Sequence, residues 1–233
     1  MNVGIANTAK FLLSGSYRPP VSGLLPKYLV VIFHGVSADA LGMIALGDHW
    51  VSRLPDAAFF APNAPFPFDM GSQGFQWFSL KNRTPESDIA GLRTVSGTVH
   101  KLLDDALTKL GLDDSALALV GFSQGGMIAL HVALRRERIP AAAVCISGAL
   151  GARNHLPKEL TVKPPVLLTH GTTDTVVPID NMYEAKATLE GVGVSVQTLV
   201  RPDLDHRFDT ETIDGVGEFL ERSFCTSSIR REQ

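Results

Sequence analysis

Short uninterrupted apolar runs recur along the chain, and the longer segments between them repeat apolar residues every three or four positions. An apolar run bounded by turn residues is typical of a strand that is buried on both faces, as the strands of parallel sheets are. The runs predict strands at residues 28–33, 57–61, 117–122, 141–146, 166–169 and 194–200.

The clearest helical pattern covers residues 88–110, where apolar residues recur with helical spacing and Gly111 supplies a typical stop. A second pattern of this kind lies at about residues 209–224. Strands that alternate with helices predict a mostly parallel sheet with right-handed crossovers and helices on both faces. The predicted fold class is therefore α/β, in the form of a three-layer sandwich.

The length of 233 residues fits one domain, and the chain shows no internal repeat, low-complexity tract or shift in composition. We expect a single domain over residues 1–233, with an N-terminal arm at about 1–27 and a polar tail at about 226–233. Segment 17–26 is punctuated by Pro and Gly and predicts either a short edge strand or an extended arm. The tail is expected to be frayed and without function.

The charge balance argues against a nucleic-acid partner. Lys and Arg total 21 against 24 Asp and Glu, a formal charge of −3, so the basic excess that phosphate backbones require is missing. Arg135, Arg136 and Arg138 form one short basic cluster, which we interpret as the solvated end of a helix.

The cysteines and the hydropathy of the chain indicate the cellular compartment in which the protein is expected. Cys145 and Cys225 form neither a disulfide framework nor a metal-ligand pattern, which fits a reducing compartment. Residues 1–15 lack the long apolar stretch of a secretory signal, and no run of 18 apolar residues predicts a membrane span. The expectation is a cytoplasmic protein without a transmembrane segment or a metal.

Segment 121–125 reads Gly-Phe-Ser-Gln-Gly and matches the G-x-S-x-G nucleophile elbow. The buried strand predicted before it and the apolar helix pattern after it provide the strand-turn-helix context that the motif requires. A serine on such a tight turn is exposed above the sheet edge, and only glycines fit on either side of it. Ser123 is therefore the candidate nucleophile, and the alternative is a Gly-rich turn with a helix-capping serine.

A serine hydroxyl needs a general base, which an acid holds in one tautomer, and on this fold the acid and then the histidine follow the serine along the chain. Four histidines follow Ser123: His131, His155, His170 and His206. His206 lies in the loop after the last predicted strand, at the sheet edge where Ser123 is expected, and is the predicted base. His131 fits a packed helix position, His155 a polar loop, and His170 a buried or supporting role.

The acid is expected after an intervening strand. Asp174 has that place, since it follows the predicted strand 166–169 and a glycine turn. Asp180 fits a helix start, where a carboxylate is an ordinary capping feature. Asp203 and Asp205 are too close to His206 in sequence to accept a hydrogen bond from the buried side of its ring.

Acyl transfer also needs N–H donors for the developing oxyanion. The backbone amide of Gln124, directly after the nucleophile, is one predicted donor. The loop 34–37 follows an early strand, and Gly35 lets its backbone bend towards the site, which makes the amide of Val36 the second. A simple strand-ending turn is the alternative for this loop.

Together these motifs resemble the phospholipase/carboxylesterase family of the α/β-hydrolases, which includes acyl-protein thioesterases. The resemblance covers roughly residues 28–224 and rests on His34-Gly35, Ala61-Pro62-Asn63-Ala64-Pro65, Trp77-Phe78, Gly121-Phe122-Ser123-Gln124-Gly125-Gly126, and His170-Gly171 with Asp174 to Pro178. It implies an α/β-hydrolase fold and a serine hydrolase without cofactor. Ser123, Asp174 and His206 then match the triad positions, and Val36 and Gln124 the two amide positions.

The chain departs from the family pattern at three positions. Ser37 and Asp205 stand where the family often has glycine, and Ser79 follows Trp-Phe where the family commonly has Asp.

Five aromatic residues lie close together in one loop. They either line an acyl-binding groove or pack as a cluster that fixes the loop, and the resemblance places Trp77 near the site. They are Phe66, Phe68, Phe75, Trp77 and Phe78, of which Trp77 and Phe78 are the predicted substrate-binding residues.

The predicted function is cleavage of carboxylic esters or thioesters through an acyl-enzyme, as in a carboxylesterase, lysophospholipase or acyl-protein thioesterase. The expected partner is a small or acyl-chain ester in an open groove, because the chain lacks a recognisable cap domain. The alternatives are a non-catalytic binding module and an acyltransferase on the same fold. The sequence does not decide whether two copies form a homodimer.

Overall fold

The computed structural model describes residues 11–231. Its strands are β1 (Gly15–Arg18), β2 (Tyr28–Phe33), β3 (Ala57–Pro62), β4 (Phe66–Pro67), β5 (Phe75–Gln76), β6 (Leu117–Phe122), β7 (Ala142–Ile146), β8 (Val166–Gly171) and β9 (Val196–Arg201). Its α-helices are α1 (Ala40–Trp50), α2 (Pro85–Leu110), α3 (Gln124–Ala133), α4 (Leu156–Glu159), α5 (Asp180–Gly191) and α6 (Thr210–Arg231).

Seven strands form one central sheet in the order β1-β3-β2-β6-β7-β8-β9. The edge strand β1 is antiparallel to β3, and every other pairing in this sheet is parallel. Parallel strands aim their carboxyl ends at the same edge, so the loops after β2, β6, β8 and β9 meet there. The mostly parallel sheet that the sequence predicts is confirmed.

Side chains that alternate along each strand divide the core into two layers. In β2, Leu29, Val31 and Phe33 pack with the residues of α2, α3 and α5, whereas Val30 and Ile32 pack on the opposite face with α1 and α6. Both faces of the sheet are therefore covered by helices, which explains why the strands read as continuous apolar runs. The α/β-hydrolase sandwich is the observed architecture.

Helix α2 shows how local sequence sets the bounds of an element. Thr84 and Ser87 form a capping box at its start, with Pro85 at the first turn. At its end Gly111 adopts a left-handed conformation with φ of 67°, which glycine adopts without steric cost. The helix begins three residues before the predicted segment because its first turn is polar and capped rather than apolar.

Both ends of the described chain differ from a simple arm and tail. Of segment 17–26, the first two residues belong to β1, so the edge-strand alternative is the one observed, and residues 1–10 lie outside the described part. The prediction of a frayed tail is wrong up to residue 231, because α6 continues through it. Ser227 is buried and its hydroxyl donates to the Ser115 carbonyl at 2.6 Å, a tertiary contact that holds this turn of helix. The single-domain assignment stays a prediction.

The basic cluster is also corrected. Arg136 is buried rather than solvated, and its guanidinium donates to the carboxylates of Asp114 and Asp104. Arg135 donates to Glu159. Carboxylates from distant parts of the chain thus pair with two of the three arginines, a partnership that local sequence does not show.

Candidate active site

The turn between β6 and α3 has the geometry of a nucleophile elbow. Ser123 occupies it with φ of 54° and ψ of −118°, a conformation that L-residues rarely adopt. A Cβ at position 121 would lie 2.1 Å from the carbonyl oxygen of Gly125, and one at position 125 would lie 2.2 Å from that of Phe33. Glycine is therefore required at both positions for the turn to close.

Ser123 sits before the first residue of α3, yet its side chain makes no capping hydrogen bond. Its Oγ instead lies 2.9 Å from Nε2 of His206, in the loop between β9 and α6. Nδ1 of His206 lies 2.7 Å from Oδ2 of Asp174, in the loop after β8. Three side chains from separate loops thus form one continuous hydrogen-bonded chain, and the capping-serine alternative does not describe this turn.

The partners of Asp174 orient its carboxylate towards His206. The side chain of Asp174 has no exposed surface, and its Oδ1 accepts the backbone N–H groups of Val176 and Val177 at 2.9 and 2.8 Å. Because an ionised carboxylate only accepts, Nδ1 of His206 carries the proton in this pair. Nε2 is then the acceptor for the Ser123 hydroxyl, which is the tautomer that a general base requires.

Aromatic packing holds the histidine from the other side. The ring of Phe122 lies against His206, with 5.0 Å between ring centroids, and it also contacts Phe208 edge-on at 5.3 Å. Sequence reasoning assigned no role to either phenylalanine. Phe122 stands in the variable position of the G-x-S-x-G motif directly before the serine, and this adjacency was the signal available.

None of the other candidate bases and acids is hydrogen-bonded to Ser123 or His206, although Nε2 of His170 lies 3.3 Å from Oδ2 of Asp174. His131 is buried on α3, and His155 is exposed in a short 3₁₀ turn. Nε2 of His170 faces the Val177 carbonyl at 2.7 Å and makes no hydrogen bond to Ser123. Asp180 begins α5, as predicted for a carboxylate at a helix start.

Two backbone amides near Ser123 are available as donors. A Cβ on Gly35 would lie 3.4 Å from that of Ser123, so the loop 34–37 runs directly beside this serine. Among residues 11–231, neither the N–H of Val36 nor that of Gln124 donates a hydrogen bond to another protein group. The Gln124 amide opens α3 and has no acceptor within the helix, so the positive end of the helix faces the site.

His34 fixes the loop that carries Val36. Its Nε2 accepts the Ala64 N–H at 3.0 Å, so Nδ1 carries the proton and donates to the Gly35 carbonyl at 2.6 Å. Burial away from water lowers the pKa of His34 below its ordinary value, which keeps the ring neutral in this arrangement. Sequence reasoning used His34 only as part of a motif, and its buried hydrogen bonds were not visible there.

A sequence profile of the phospholipase/carboxylesterase family matches residues 22–224. The chain belongs to the phospholipase/carboxylesterase family. It is 24% identical over 185 residues to esterase YpfH of Escherichia coli, covering 79% of this chain and 78% of that protein. It is also 24% identical over 216 residues to acyl-protein thioesterase 1 of Gibberella zeae, covering 83% of this chain and 89% of the relative.

A crystal structure of esterase PE8 has the same fold. Its TM-score against this chain is 0.86 at 35% identity, and the match covers 90% of this chain and 98% of the esterase. Membership of the phospholipase/carboxylesterase family makes the chain a hydrolase of carboxylic esters or thioesters.

The structure accounts for two departures from the phospholipase/carboxylesterase pattern. Ser37 keeps the left-handed backbone that glycine favours, with φ of 64°. Ser79 donates to the carboxylate of Asp69 at 2.7 Å, so a carboxylate from the neighbouring hairpin lies beside position 79. Asp205 is exposed and pairs with Arg207.

The two aromatic residues predicted to bind substrate differ in their surroundings. Trp77 has no exposed surface, and its Nε1 donates to the His34 carbonyl at 2.9 Å. The Gln124 side chain accepts the Trp77 N–H at 2.9 Å and donates to the Phe78 carbonyl at 2.8 Å. Trp77 therefore ties the His34 loop to Gln124, the residue after Ser123. Phe78 is also largely buried, and with Phe66 it lines a pocket of about 410 Å³.

A pocket of about 510 Å³ adjoins α3 on the carboxyl edge of the sheet. Its apolar lining comes from Met127, one helical turn after Ser123, together with Ile89 and Leu150. Its polar lining includes Arg83 paired with Asp88, and Arg153 paired with Glu184. A larger pocket of about 620 Å³ lies at the opposite edge, and neither of these two pockets is lined by a predicted site residue.

Within residues 11–231, no helix combines the length and hydropathy needed to cross a bilayer. In the same part of the chain, no group of three or more His, Cys, Asp or Glu side chains is arranged to hold a metal ion. Cys145 lies behind the elbow, within 2.7 Å of the place that a Cβ on Gly126 would take. Burial raises the pKa of its thiol to about 12, which makes this cysteine a poor candidate nucleophile.

Proposed function

We propose that Ser123, His206 and Asp174 form the catalytic triad of a serine esterase or thioesterase that acts through an acyl-enzyme. The observation that carries this proposal is the unbroken chain of hydrogen bonds from Ser123 Oγ to His206 Nε2 at 2.9 Å and from His206 Nδ1 to Asp174 Oδ2 at 2.7 Å. The strained backbone at Ser123 supports it, because such strain concentrates at functional sites.

In the first half-reaction, Ser123 Oγ bonds to the acyl carbon as its proton moves to His206 Nε2. The carbonyl π-bond opens to an oxyanion, and Asp174 stabilises the imidazolium that has formed. When the oxyanion collapses, the bond to the leaving oxygen or sulfur breaks, and His206 returns the proton to that atom. Water then repeats the sequence on the acyl-enzyme, releasing the carboxylic acid and restoring Ser123.

The amides of Val36 and Gln124 are the proposed donors to the oxyanion. Both are free of protein acceptors within the described residues, and the Gly35 backbone approaches Ser123 closely. Donors that are held in place before the reaction lower the barrier without reorganising, and losing one typically costs 10²–10³ in rate. His34 and Trp77 keep the Val36 loop in this position through buried hydrogen bonds.

The substrate is a carboxylic ester or thioester with a modest or straight acyl chain. Relatives of this chain are named as an esterase and as acyl-protein thioesterases. The pocket beside Met127 lies on the same sheet edge as the triad, and its apolar side, formed by Ile89, Met127 and Leu150, is suited to an acyl chain. Comparing p-nitrophenyl esters from acetate to dodecanoate with acyl-CoA thioesters tests both chain length and leaving group.

The triad is tested by hydrolysis of p-nitrophenyl acetate and butyrate by the wild type and by Ser123→Ala. We expect a loss of about 10⁴-fold or more in kcat with an unchanged melting temperature, and labelling of the wild type alone by a fluorophosphonate probe. Ser223→Ala is the matched control, because both serines are 7% exposed and Ser223 lies on α6, away from the site. Equal hydrolysis by the wild type and Ser123→Ala would refute the proposal.

A further inference from the structure

His170 is a buried histidine that the triad does not include. It lies one residue before the end of β8, and its side chain is 1% exposed. Its Nε2 is 2.7 Å from the carbonyl oxygen of Val177 and 3.3 Å from Oδ2 of Asp174. A carbonyl oxygen only accepts, so Nε2 carries a proton and donates it to Val177, with the Asp174 carboxylate close enough to share it.

Val177 is consequently held on both sides of its backbone. Its N–H donates to Oδ1 of Asp174 at 2.8 Å, and its carbonyl accepts from His170 at 2.7 Å. Val176 adds a second N–H to the same Oδ1 at 2.9 Å. The loop that follows Asp174 therefore curls back over its own carboxylate, and His170 is the side chain from β8 that ties this curl to the sheet.

This arrangement determines the rotation of the Asp174 carboxylate. With Oδ1 occupied by two backbone N–H groups, Oδ2 is the oxygen left to face His206. If the Val177 carbonyl lost its donor, the loop would be free to shift and the two amides would no longer fix Oδ1. The bond from His206 Nδ1 to Oδ2 would then weaken without any change in the groups that contact substrate.

On this basis, and resting on the triad proposed above, we propose that His170 is a positioning residue for the catalytic acid. Through Val177 it holds the Asp174 loop in the one conformation that presents Oδ2 to His206. It takes no part in proton transfer with the substrate, since its protonated nitrogen faces the Val177 carbonyl. The residue acts on the chemical step and not on substrate binding.

The test compares two substitutions at position 170 that fill similar space. His170→Gln places an amide N–H at a reach similar to that of Nε2, whereas His170→Met has no donor. We expect His170→Met to lower kcat by about 10- to 100-fold with KM within twofold of the wild type, and His170→Gln to recover most of this loss. A role in packing alone would affect both variants according to their melting temperatures.

His131→Met is the matched control, because His131 is as buried as His170 but lies on α3 and contacts none of the triad. It should leave kcat unchanged. A second readout is the downfield proton resonance of His206 Nδ1–H, which reports its bond to Asp174 directly. We expect this resonance to move or broaden in His170→Met and to keep its wild-type position in His170→Gln and His131→Met.

The outcomes separate this inference from the function on which it depends. Full activity in Ser123→Ala would refute the triad itself. If Ser123→Ala is inactive and His170→Met keeps wild-type kcat and an unshifted resonance, the triad stands and the role of His170 is refuted. A rise in KM with unchanged kcat in His170→Met would also contradict it, since that result indicates a role in substrate binding.

Discussion

The loops at the carboxyl edge of the sheet carry the candidate site. They differ from the loops at the opposite edge, the amino edge where the parallel strands begin, in the type of residue that adopts positive φ. In the described part of the chain, six non-glycine residues have positive φ. Five of them lie in connections that directly follow strands of the central sheet (Ser37, Ser123, Ser147, Ala152 and Asp203), and Asn82 follows the β4–β5 hairpin inserted after β3. At the amino edge the corresponding positions are glycines, namely Gly23, Gly111 and Gly193, and the fourth glycine with positive φ, Gly74, lies in the β4–β5 hairpin. Left-handed backbone costs an L-residue about 1–2 kcal/mol and costs glycine almost nothing.

Buried polar groups show the same contrast. At the amino edge, Arg136 donates to both oxygens of Asp114 and to Asp104, so its guanidinium is nearly saturated by protein. At the carboxyl edge, the amides of Val36 and Gln124 make no hydrogen bond to another described protein group. The first arrangement stabilises the folded chain, whereas the second keeps donors available for a ligand.

This difference indicates that the two edges of the sheet have different roles, the candidate site at the carboxyl edge and stability at the amino edge. A site needs side chains and amides in positions that local backbone preference does not favour, and the rest of the fold must hold them there. The amino edge has no such demand and uses the residue best suited to each turn. Substitutions should therefore separate activity from stability according to the edge at which they are made.

The largest expected effect is at the carboxyl edge. His206→Asn removes the proposed base while keeping a side chain of similar shape, and we expect kcat to fall by about 10⁴-fold, roughly 5–6 kcal/mol of transition-state stabilisation. Because the side chain is partly exposed at the rim, the free energy of unfolding should change by no more than about 1 kcal/mol. Ester hydrolysis and urea unfolding measure the two quantities, and wild-type turnover in this variant would contradict the assignment.

At the amino edge we expect a loss of stability without a loss of activity. Arg136→Met leaves two carboxylates without their partner, one of them buried, and should lower the free energy of unfolding by about 3–5 kcal/mol. The kcat of the folded protein should be unchanged, because no triad residue contacts this cluster. Adding Asp114→Leu should restore part of the stability, since it removes the buried unpaired charge. A fall in kcat without a loss of stability would break the proposed division between the edges.

A pH-dependent effect is expected from His131, which lies in the last turn of α3, towards the amino edge. Burial, with a smaller contribution from Arg135, lowers its pKa from 6.5 to about 3. The unfolded state then binds a proton that the folded state excludes, so stability is full above about pH 6.5 and falls as the pH drops towards 3. At pH 5 the loss should be roughly 2 kcal/mol.

His131→Met removes this titration, and its unsatisfied buried Nδ1 with it. Urea unfolding at pH 7.5 and pH 5 should show a smaller loss of stability in the variant than in the wild type. The same loss in both proteins would show that His131 does not contribute to acid destabilisation.

The smallest expected effects form a matched pair of opposite sign. Gly111→Ala puts a Cβ into left-handed backbone where nothing lies within 4 Å, so strain alone should cost about 1 kcal/mol. Ser37→Gly relieves the same kind of strain at an exposed position and should add up to about 1 kcal/mol, less the extra entropy of an unfolded glycine. Chemical unfolding measures both, and a destabilised Ser37→Gly would mean that the serine side chain makes a contact that outweighs the strain.

Local sequence predicted the elements whose environment is uniform along their length. The runs at 28–33 and 117–122 coincide with β2 and β6, because strands buried on both faces must be apolar throughout. The start of α2 and the continuation of α6 to residue 231 were missed, since a polar first turn and a polar last turn depend on a cap and on the Ser227 contact. The hairpin of β4 and β5 was also missed, because strands of two residues are too short to show the repeating apolar pattern that predicts a strand.

The candidate site likewise has features that the sequence predicts and features that it does not. The order of Ser123, Asp174 and His206 along the chain, and the strands before them, follow from residue types and spacing. The burial of Trp77, the neutral form of His34 and the hold of His170 on Val177 do not, because each depends on hydrogen bonds that fix side-chain orientation across loops distant in sequence.

The alternation of strands and helices, the parallel sheet and the three candidate residues in their chain order follow from the amino-acid sequence alone. Periodicity and turn chemistry act over a few neighbouring residues, so the sequence shows them directly. Which loops touch, which polar groups find a partner and which amides stay free depends on the folded chain. Those outcomes depend on distances of a few ångströms between residues far apart in the chain, and packing of the whole core sets these distances.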